Sequence, residues 1–144
     1  MKIVSVLENQ KIEKRISITP EIAKKYIALG FEVSLPKNYG EHLGFKDNEY
    51  KKIGVEISND EKEIISNADV IVQLGLPSED KTSAMKENQN LIGILNPYNN
   101  KEKIDSLTKK NINLFSLELL PRITRAQSMD ILSSQANLAG YKAV

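Results

Sequence analysis

Several polar residues near the C-terminal end of the chain have types and spacing suited to binding a phosphorylated or amide-bearing ligand. Within residues 121–144, PRITRAQSMDILSSQANLAGYKAV, these residues are Arg122, Arg125, Gln127, Ser128 and Asp130. Guanidinium groups form paired hydrogen bonds with phosphates, and the N–H groups at a helix start bind anionic or polar oxygens. The segment is therefore a candidate binding site for a phosphate, a ribose or a carboxamide.

An apolar periodicity predicts that most of this segment is helical. The apolar residues that recur at steps of three and four are Met129, Leu132, Ala136, Ala139 and Ala143. Such steps are typical of an α-helix. Ser128 and Asp130 near its predicted start can accept hydrogen bonds from unpaired backbone N–H groups, and a carboxylate suits the positive end of the helix dipole. Capping alone also explains these two residues, so spacing leaves both interpretations open.

Short apolar runs upstream of this segment predict strands that alternate with helices. The predicted strands are residues 2–7, 31–35, 55–57, 68–74, 90–95 and 112–117. The predicted helices are residues 20–29, 47–53, 60–66, 79–86 and 101–109. This alternation is typical of a parallel sheet with helices on both faces. The predicted fold class is α/β, a three-layer parallel-sheet domain of the flavodoxin or Rossmann kind.

The glycine pattern of a dinucleotide-binding turn is absent from the sequence. No Gly-x-Gly-x-x-Gly follows a predicted strand, and the glycines of the central region are scattered over Gly40, Gly44, Gly54, Gly75 and Gly93. A chain of 144 residues without a repeat or linker fits one domain. We therefore expect a single domain, residues 1–144, that does not hold a dinucleotide tightly by itself.

The composition excludes several classes of function. The formal net charge is +1 with both signs interspersed, so the sequence shows no electrostatic footprint for nucleic acid or an anionic membrane surface. The chain contains no cysteine and one histidine, and we therefore expect no metal site. No apolar run reaches bilayer length and no signal-peptide pattern begins the chain, so we expect a soluble cytoplasmic protein.

The run RITRAQSMDILSSQANLAGYKAV, with Pro121 before it, resembles a specific segment of a known family. In the alpha subunit of proton-translocating NAD(P) transhydrogenase, the similar segment closes the first NAD(H)-binding subdomain. The resemblance extends upstream: EKRISITP at residues 13–20 is similar to the family pattern Glu-x-Arg-Val-x-x-Thr-Pro, and residues 30–33 and 40–47 also match. It implies an alanine dehydrogenase/transhydrogenase N-terminal domain that forms the first portion of a longer subunit.

Carried over residue by residue, the resemblance implies roles for individual side chains. It implies cofactor contacts from Arg122, Gln127, Ser128, Asp130 and Ser133, with Ser133 at the carboxamide. Arg122, Gln127 and Asp130 would also act in the reaction, at the nicotinamide and its ribose. The implied reaction is direct hydride transfer between NAD(H) and NADP(H), coupled to proton translocation. For such a reaction the protein must align the two cofactors and exclude water from the reacting site. It needs no acid or base.

The resemblance also implies partners. NAD(H) would be bound jointly with a second, Rossmann-type subdomain that carries the glycines, and NADP(H) would lie on a partner domain. The component would form a homodimer and dock onto the NADP(H)-binding and proton-conducting membrane parts of the enzyme. This arrangement would place it in the cytoplasm, peripheral to the bacterial inner membrane. The chain alone is expected to be inactive.

Alanine dehydrogenase resembles the same framework and gives a second interpretation. In that family an arginine, a lysine and a histidine of this domain bind and protonate the oxo-acid. Here Arg15 matches the arginine, but Gln73 replaces the lysine and Asn96 replaces the histidine. Amination of an oxo-acid requires a proton donor, and neither Gln73 nor Asn96 can serve as one. This difference favours transhydrogenase. Arg15 is then expected to be a structural surface residue. A non-catalytic α/β docking module is a third interpretation that the composition permits.

Overall fold

A single sheet of parallel strands forms the centre of the domain in the computed structural model, which describes residues 1–143. Val144, the last residue of the predicted helical segment, lies outside the described residues. The strands are β1 Lys2–Val4, β2 Glu32–Pro36, β3 Glu56–Ser58, β4 Val70–Val72, β5 Asn90–Gly93 and β6 Asn113–Ser116. Each overlaps a predicted strand.

The first strand is shorter than predicted because the backbone after Val4 bonds to side chains instead of a neighbouring strand. The N–H of Val6 donates to Gln73 Oε1 (3.2 Å), and the N–H of Leu7 donates to Glu61 Oε1 (2.8 Å). These bonds satisfy the donors that a strand neighbour would otherwise take. The chain therefore leaves the sheet early and forms a long loop before the first helix.

The strands lie in the order β3-β2-β1-β4-β5-β6, and every neighbouring pair is parallel. This is the strand order of doubly wound dinucleotide-binding domains, with the reversal of winding between β1 and β4. The prediction of a three-layer parallel α/β fold is confirmed. The particular order was not predicted, because the alternation of strands and helices is common to several doubly wound folds.

The helices follow the predicted pattern up to β6. They are α1 Pro20–Ala28, α2 Asp47–Lys52, α3 Glu61–Ser66, α4 Glu79–Ser83, α5 Lys101–Lys109 and α6 Ile131–Ala143. Three 3-10 helices were not predicted: Glu41–Leu43, Leu117–Leu119 and Thr124–Met129. None of the helices within residues 1–143 is both long and apolar enough to cross a membrane.

Local sequence sets the start of α1, and both α1 and α5 bury an apolar side chain. Thr19 caps α1 by accepting from the N–H of Ile22 (3.4 Å), and Pro20 occupies the first turn, where its missing N–H costs nothing. Ala23 in α1 and Leu107 in α5 are buried.

Two hydrophobic layers cover the two faces of the sheet. Ile3 and Val4 are neighbours in β1 and belong to different layers, because alternate side chains of a strand point to opposite faces. The layer that contains Ile3 packs against α1 and α2. The layer that contains Val4 packs against α3 and α5. The sheet is thus a rigid base whose carboxyl edge carries the loops.

A chain of buried hydrogen bonds joins the elements at that carboxyl edge. The Tyr39 hydroxyl donates to Ser5 Oγ (2.8 Å), and Ser5 Oγ donates to Gln73 Oε1 (3.0 Å). The same tyrosine oxygen accepts from the N–H groups of Ser17 and Ile18 at 3.1 and 3.2 Å. This network connects the loop after β1 with the ends of β2 and β4.

Candidate functional site

The segment after β6 leaves the carboxyl edge of the sheet and forms the candidate site. Its first turn, the 3-10 helix Leu117–Leu119, is joined to the loop after β5, because Glu118 Oε1 accepts from the N–H of Asn96 (2.5 Å). Its second turn, the 3-10 helix Thr124–Met129, is anchored by the buried side chain of Ala126. The helix α6 then begins at Ile131.

This segment lines an open cavity of about 320 Å³ at the surface. The lining residues are Pro121, Arg122, Ile123, Thr124, Ala126, Gln127, Asp130 and Ser133. Arg122, Gln127, Asp130 and Ser133 were predicted to bind cofactor, and the structure brings these four together at one cavity. Ser128, the fifth predicted residue, is exposed and does not line it.

The helix that carries the site begins later than predicted. Ser128 lies in a 3-10 helix, and its side chain forms no hydrogen bond with other described residues. Asp130 alone caps α6: its Oδ1 accepts from the N–H groups of Leu132 and Ser133, both at 3.0 Å. The Ser133 hydroxyl donates to Asp130 Oδ2 (2.6 Å). The expected capping role is correct for Asp130 and wrong for Ser128.

The environment of Asp130 keeps its carboxyl group ionised. The hydrogen bond from the Ser133 hydroxyl lowers the pKa of Asp130, and the backbone N–H groups of Ser133 and Leu132 and the charge of Arg122 act in the same direction. Because each of these groups stabilises the carboxylate, Asp130 is an anionic acceptor at neutral pH. It can accept hydrogen bonds from ligand hydroxyl or amide groups.

Two other lining side chains have unused hydrogen-bonding capacity. Among the described residues, neither the Arg122 guanidinium nor the Gln127 amide has a side-chain hydrogen-bond partner, and both residues are exposed. The cavity therefore presents a cation, an amide, a hydroxyl and a carboxylate from one short segment. This set can bind a carboxamide and the hydroxyl groups of a ribose.

Sequence reasoning missed the remaining lining residues: Pro121, Ile123, Thr124 and Ala126. They lie in the same short segment, so contiguity with Arg122 and Gln127 was the available signal. Their contribution is mainly shape, because three of the four have apolar side chains. No group of three or more histidine, aspartate or glutamate side chains within residues 1–143 is arranged to bind a metal ion.

A second crevice lies between the carboxyl ends of β1 and β4, where doubly wound domains bind phosphates. Here Glu8 Oε1 accepts from the N–H groups of Leu74 (2.7 Å) and Gly75 (3.2 Å). Burial raises the pKa of Glu8. The Glu8 carboxylate therefore occupies two backbone donors that could otherwise bind a phosphate. This agrees with the absence of the glycine fingerprint from the sequence.

The side chains at the alanine dehydrogenase positions have other functions in this structure. Gln73 is 3% exposed, and its amide group accepts from Ser5 and Val6 and donates to the carbonyl of Val6 (3.0 Å). Arg15 is exposed and forms an ion pair with Glu13 (2.7 Å). Gln73 is thus a structural group in the core and supplies no proton.

Comparison of the sequence with known protein families identifies the family to which the chain belongs. The sequence profile of the family described as "Alanine dehydrogenase/PNT, N-terminal domain" matches residues 5–139. The chain belongs to this family. The predicted family is therefore confirmed.

Individual relatives of the alanine dehydrogenase/PNT N-terminal domain family differ in their similarity to this chain. An NAD(P) transhydrogenase subunit alpha component of Rickettsia prowazekii is 46% identical over the whole chain, which covers 39% of that relative. Alanine dehydrogenase 1 of Staphylococcus aureus is 27% identical over 99% of the chain and 37% of that relative. Alanine dehydrogenase is thus a more distant relative than transhydrogenase.

A solved structure agrees with the sequence comparison. The crystal structure of transhydrogenase from Sinorhizobium meliloti superimposes with a TM-score of 0.89 at 39% identity, over 98% of this chain and 42% of that one. The chain spans about two fifths of the length of the transhydrogenase component from Rickettsia prowazekii.

Proposed function

We propose that this chain is the N-terminal portion of the NAD(H)-binding component of a proton-translocating NAD(P) transhydrogenase. In this proposal the cavity lined by Arg122, Gln127, Asp130 and Ser133 holds the nicotinamide end of NAD(H) and orients it for hydride transfer to NADP(H). The observation that carries the proposal is the convergence of these four side chains on one cavity. The similarity to transhydrogenase alpha subunits supports it.

The chemistry of the cavity fits the nicotinamide end of the cofactor. An ionised Asp130 can accept from ribose hydroxyl or carboxamide groups, while Gln127 and Ser133 can both donate and accept. A cavity of about 320 Å³ is at the lower end of the range for small-molecule sites. It suits the nicotinamide end and not the whole dinucleotide, so most of the cofactor would be held elsewhere.

The proposed contribution of these residues is alignment of the cofactor. When bound, NAD(H) supplies the hydride chemistry itself, and no side chain needs to take or give a proton. Arg122 would hold the cofactor by its charge, while Gln127 and Asp130 would orient the ribose and the carboxamide. Pro121 and Ile123 would offer apolar contacts beside the reacting ring.

The proposal includes a second domain and protein partners. The remainder of the longer subunit would hold most of NAD(H), and an NADP(H)-binding domain would present the acceptor. Homodimerisation and docking to a proton-conducting membrane part would place the chain in the cytoplasm at the bacterial inner membrane. These partners are inferred from the resemblance of the site segment and from the names of the relatives.

Matched arginine variants in the full-length assembled enzyme test the proposal. Arg122 lines the cavity, whereas Arg125 is exposed outside it on the same 3-10 segment. We expect Arg122→Ala to lower the rate of hydride transfer about 10- to 100-fold, because small displacements of reacting groups are costly. Arg125→Ala should leave the rate within about twofold. Equal rates for the two variants would exclude this cavity as the cofactor site.

The Arg122 variant and an assay of amination together separate the alternative interpretations. A non-catalytic docking module predicts no effect of Arg122→Ala on hydride transfer. An amino-acid dehydrogenase predicts NADH-dependent amination of an oxo-acid, for which Gln73 and Asn96 offer no proton donor. Assay of both reactions with the wild-type enzyme therefore decides among the three.

A further inference from the structure

Arg15 connects the loop after β1 to α6. Its Nη1 donates to Gln135 Oε1 at 2.8 Å, between residues 120 positions apart in the sequence. The rest of the guanidinium is held by Glu13, because Nε and Nη2 donate to the two carboxylate oxygens at 2.9 and 2.7 Å. This paired geometry fixes the direction of the remaining N–H group and aims it at the helix.

The ion pair also keeps both partners charged. The hydrogen bond from Arg15 lowers the pKa of Glu13, and the same contact raises the pKa of Arg15. The bond to Gln135 is therefore a hydrogen bond from a cation to a neutral amide. Such bonds are stronger than those between two neutral groups.

The helix α6 has few other attachments to the domain. None of its residues in Ile131–Ala143 is buried, and the helix lies against the 3-10 helix Leu117–Leu119. Among the described residues, the Arg15–Gln135 bond is the single side-chain hydrogen bond between α6 and the first 116 residues. Within the described residues, this bond is therefore the polar contact that can set the orientation of α6 relative to the loop after β1.

Gln135 lies close to the part of α6 that carries the site. It is two positions beyond Ser133 and little more than one helical turn beyond Asp130. A rotation or displacement of α6 would therefore move the capping carboxylate and the Ser133 hydroxyl together, and both line the cavity.

We propose that Arg15, held by Glu13, is a positioning residue that fixes α6 through Gln135 and thereby sets the geometry of Asp130 and Ser133. For catalysis this inference rests on the proposed function of the cavity. It gives Arg15 a role in this chain different from the binding of an oxo-acid. The link joins the loop after β1 to the site segment across the carboxyl edge of the sheet.

Variants at both ends of the link test the proposal in the full-length assembled enzyme. Arg15→Met and Gln135→Leu each remove the bond, whereas Gln135→Glu retains an acceptor for Arg15. We expect each of the first two variants to lower kcat for hydride transfer about 5- to 10-fold with a smaller change in KM, because the loss is one of alignment. The double variant should be no slower than either single variant.

The conservative variant and a control show whether the link itself matters. Gln135→Glu should keep kcat within about twofold of wild type when Arg15 is present. When Gln135→Glu is combined with Arg15→Met, kcat should fall as far as in Arg15→Met alone. Lys14→Met is the matched control: Lys14 is exposed in the same loop, and its side chain has no hydrogen-bond partner among the described residues. It removes the same charge and should leave kcat unchanged.

Hydrogen exchange provides a readout that needs no cofactor. We expect the amides of α6 to exchange severalfold faster in Arg15→Met and Gln135→Leu, while amides of the central strands stay protected. Wild-type exchange of α6 in both variants, or additive losses of kcat in the double variant, would overturn the proposal. If Arg122→Ala keeps full activity but α6 exchange responds to Arg15→Met, the cofactor site is wrong and the structural link is correct.

Discussion

Asp130 takes part in two interactions that substitution can separate. Its carboxylate caps α6, and the same group lines the cavity. Asp130→Asn keeps a capping oxygen and removes the charge, whereas Asp130→Ala removes both. We expect Asp130→Asn to preserve slow amide exchange at Leu132 and Ser133 while hydride transfer falls about tenfold.

The alanine variant is the comparison for this prediction. Asp130→Ala should lower hydride transfer and also accelerate amide exchange at the start of α6, because two backbone donors lose their acceptor. Exchange that is equally fast in the asparagine and alanine variants would contradict the separation of the two roles.

The capping interaction of Asp130 should depend on pH. The Ser133 hydroxyl, the backbone N–H groups and Arg122 lower the pKa of Asp130 in the folded state. A lowered pKa means that the stabilisation is complete above the unfolded-state pKa and is lost as the pH falls through the folded-state pKa. We expect the amide resonances of Leu132 and Ser133 to shift with a midpoint below the ordinary pKa of aspartate.

Ser133→Ala provides the control for this titration. The Ser133 hydroxyl is the largest cause of the lowered pKa of Asp130, so its removal should move the midpoint upward. A midpoint at or above the ordinary aspartate value in the wild-type chain would argue against the bonds from Ser133 and Leu132 in solution.

At the scale of elements, close packing of β4 and β5 depends on a glycine. A Cβ atom at Gly93 would overlap the carbonyl oxygen of Gln73 in the adjacent chain segment. We expect Gly93→Ala to lower the free energy of unfolding by about 1–3 kcal/mol, because the two backbones would have to separate. Urea denaturation measures this change.

Gly140 supplies the matched control for that substitution. A Cβ atom at Gly140 meets no other atom within 4 Å, and the residue lies within α6. Gly140→Ala should therefore cause no loss of stability, since alanine favours a helix over glycine. Similar losses for the two glycine variants would mean that overlap at Gly93 is not the cause.

The buried network around Tyr39 gives a second prediction at this scale. Tyr39→Phe leaves the N–H groups of Ser17 and Ile18 without their acceptor, and it removes the hydrogen bond that Ser5 Oγ accepts from the tyrosine. Because buried unpaired donors are costly, we expect the free energy of unfolding to fall by about 1–3 kcal/mol. Thermal or urea unfolding measures it.

Tyr26→Phe is the control for the Tyr39 variant. The Tyr26 hydroxyl forms no hydrogen bond among the described residues, although its ring packs against Phe31. Its removal should change the stability by less than about 0.5 kcal/mol. A cost for Tyr39→Phe no greater than that for Tyr26→Phe would show that the network contributes little.

At the scale of the whole molecule, the cavity is too small to hold an entire dinucleotide. Its volume is about 320 Å³, and Glu8 occupies the backbone donors at the crevice between β1 and β4. We expect fluorescence titration with NADH to show negligible binding to the 144-residue chain and clear binding to a longer subunit that includes the Rossmann-type domain. Tight, saturable binding by the short chain would contradict this division of the site.

The sequence predicted most of the elements because their signals are local. The Thr19-Pro20 start of α1 and the apolar runs of the strands depend on neighbouring residues. The candidate site was also predictable in part, since Arg122, Gln127, Asp130 and Ser133 lie close together in one segment that folds around the cavity. The 3-10 helix Thr124–Met129 was not predicted, because most of it lies before the apolar periodicity, which begins at Met129.

By itself the sequence determined the parallel α/β class, the absence of the glycine fingerprint, the family resemblance and the segment that carries the candidate site. Only the tertiary structure decided the strand order, the occupation of the Leu74 and Gly75 donors by Glu8, and the bond between Arg15 and Gln135. The physical reason is that these two contacts join residues 66 to 120 positions apart. Periodicity and capping report only on neighbours along the chain, whereas such contacts depend on how the elements pack.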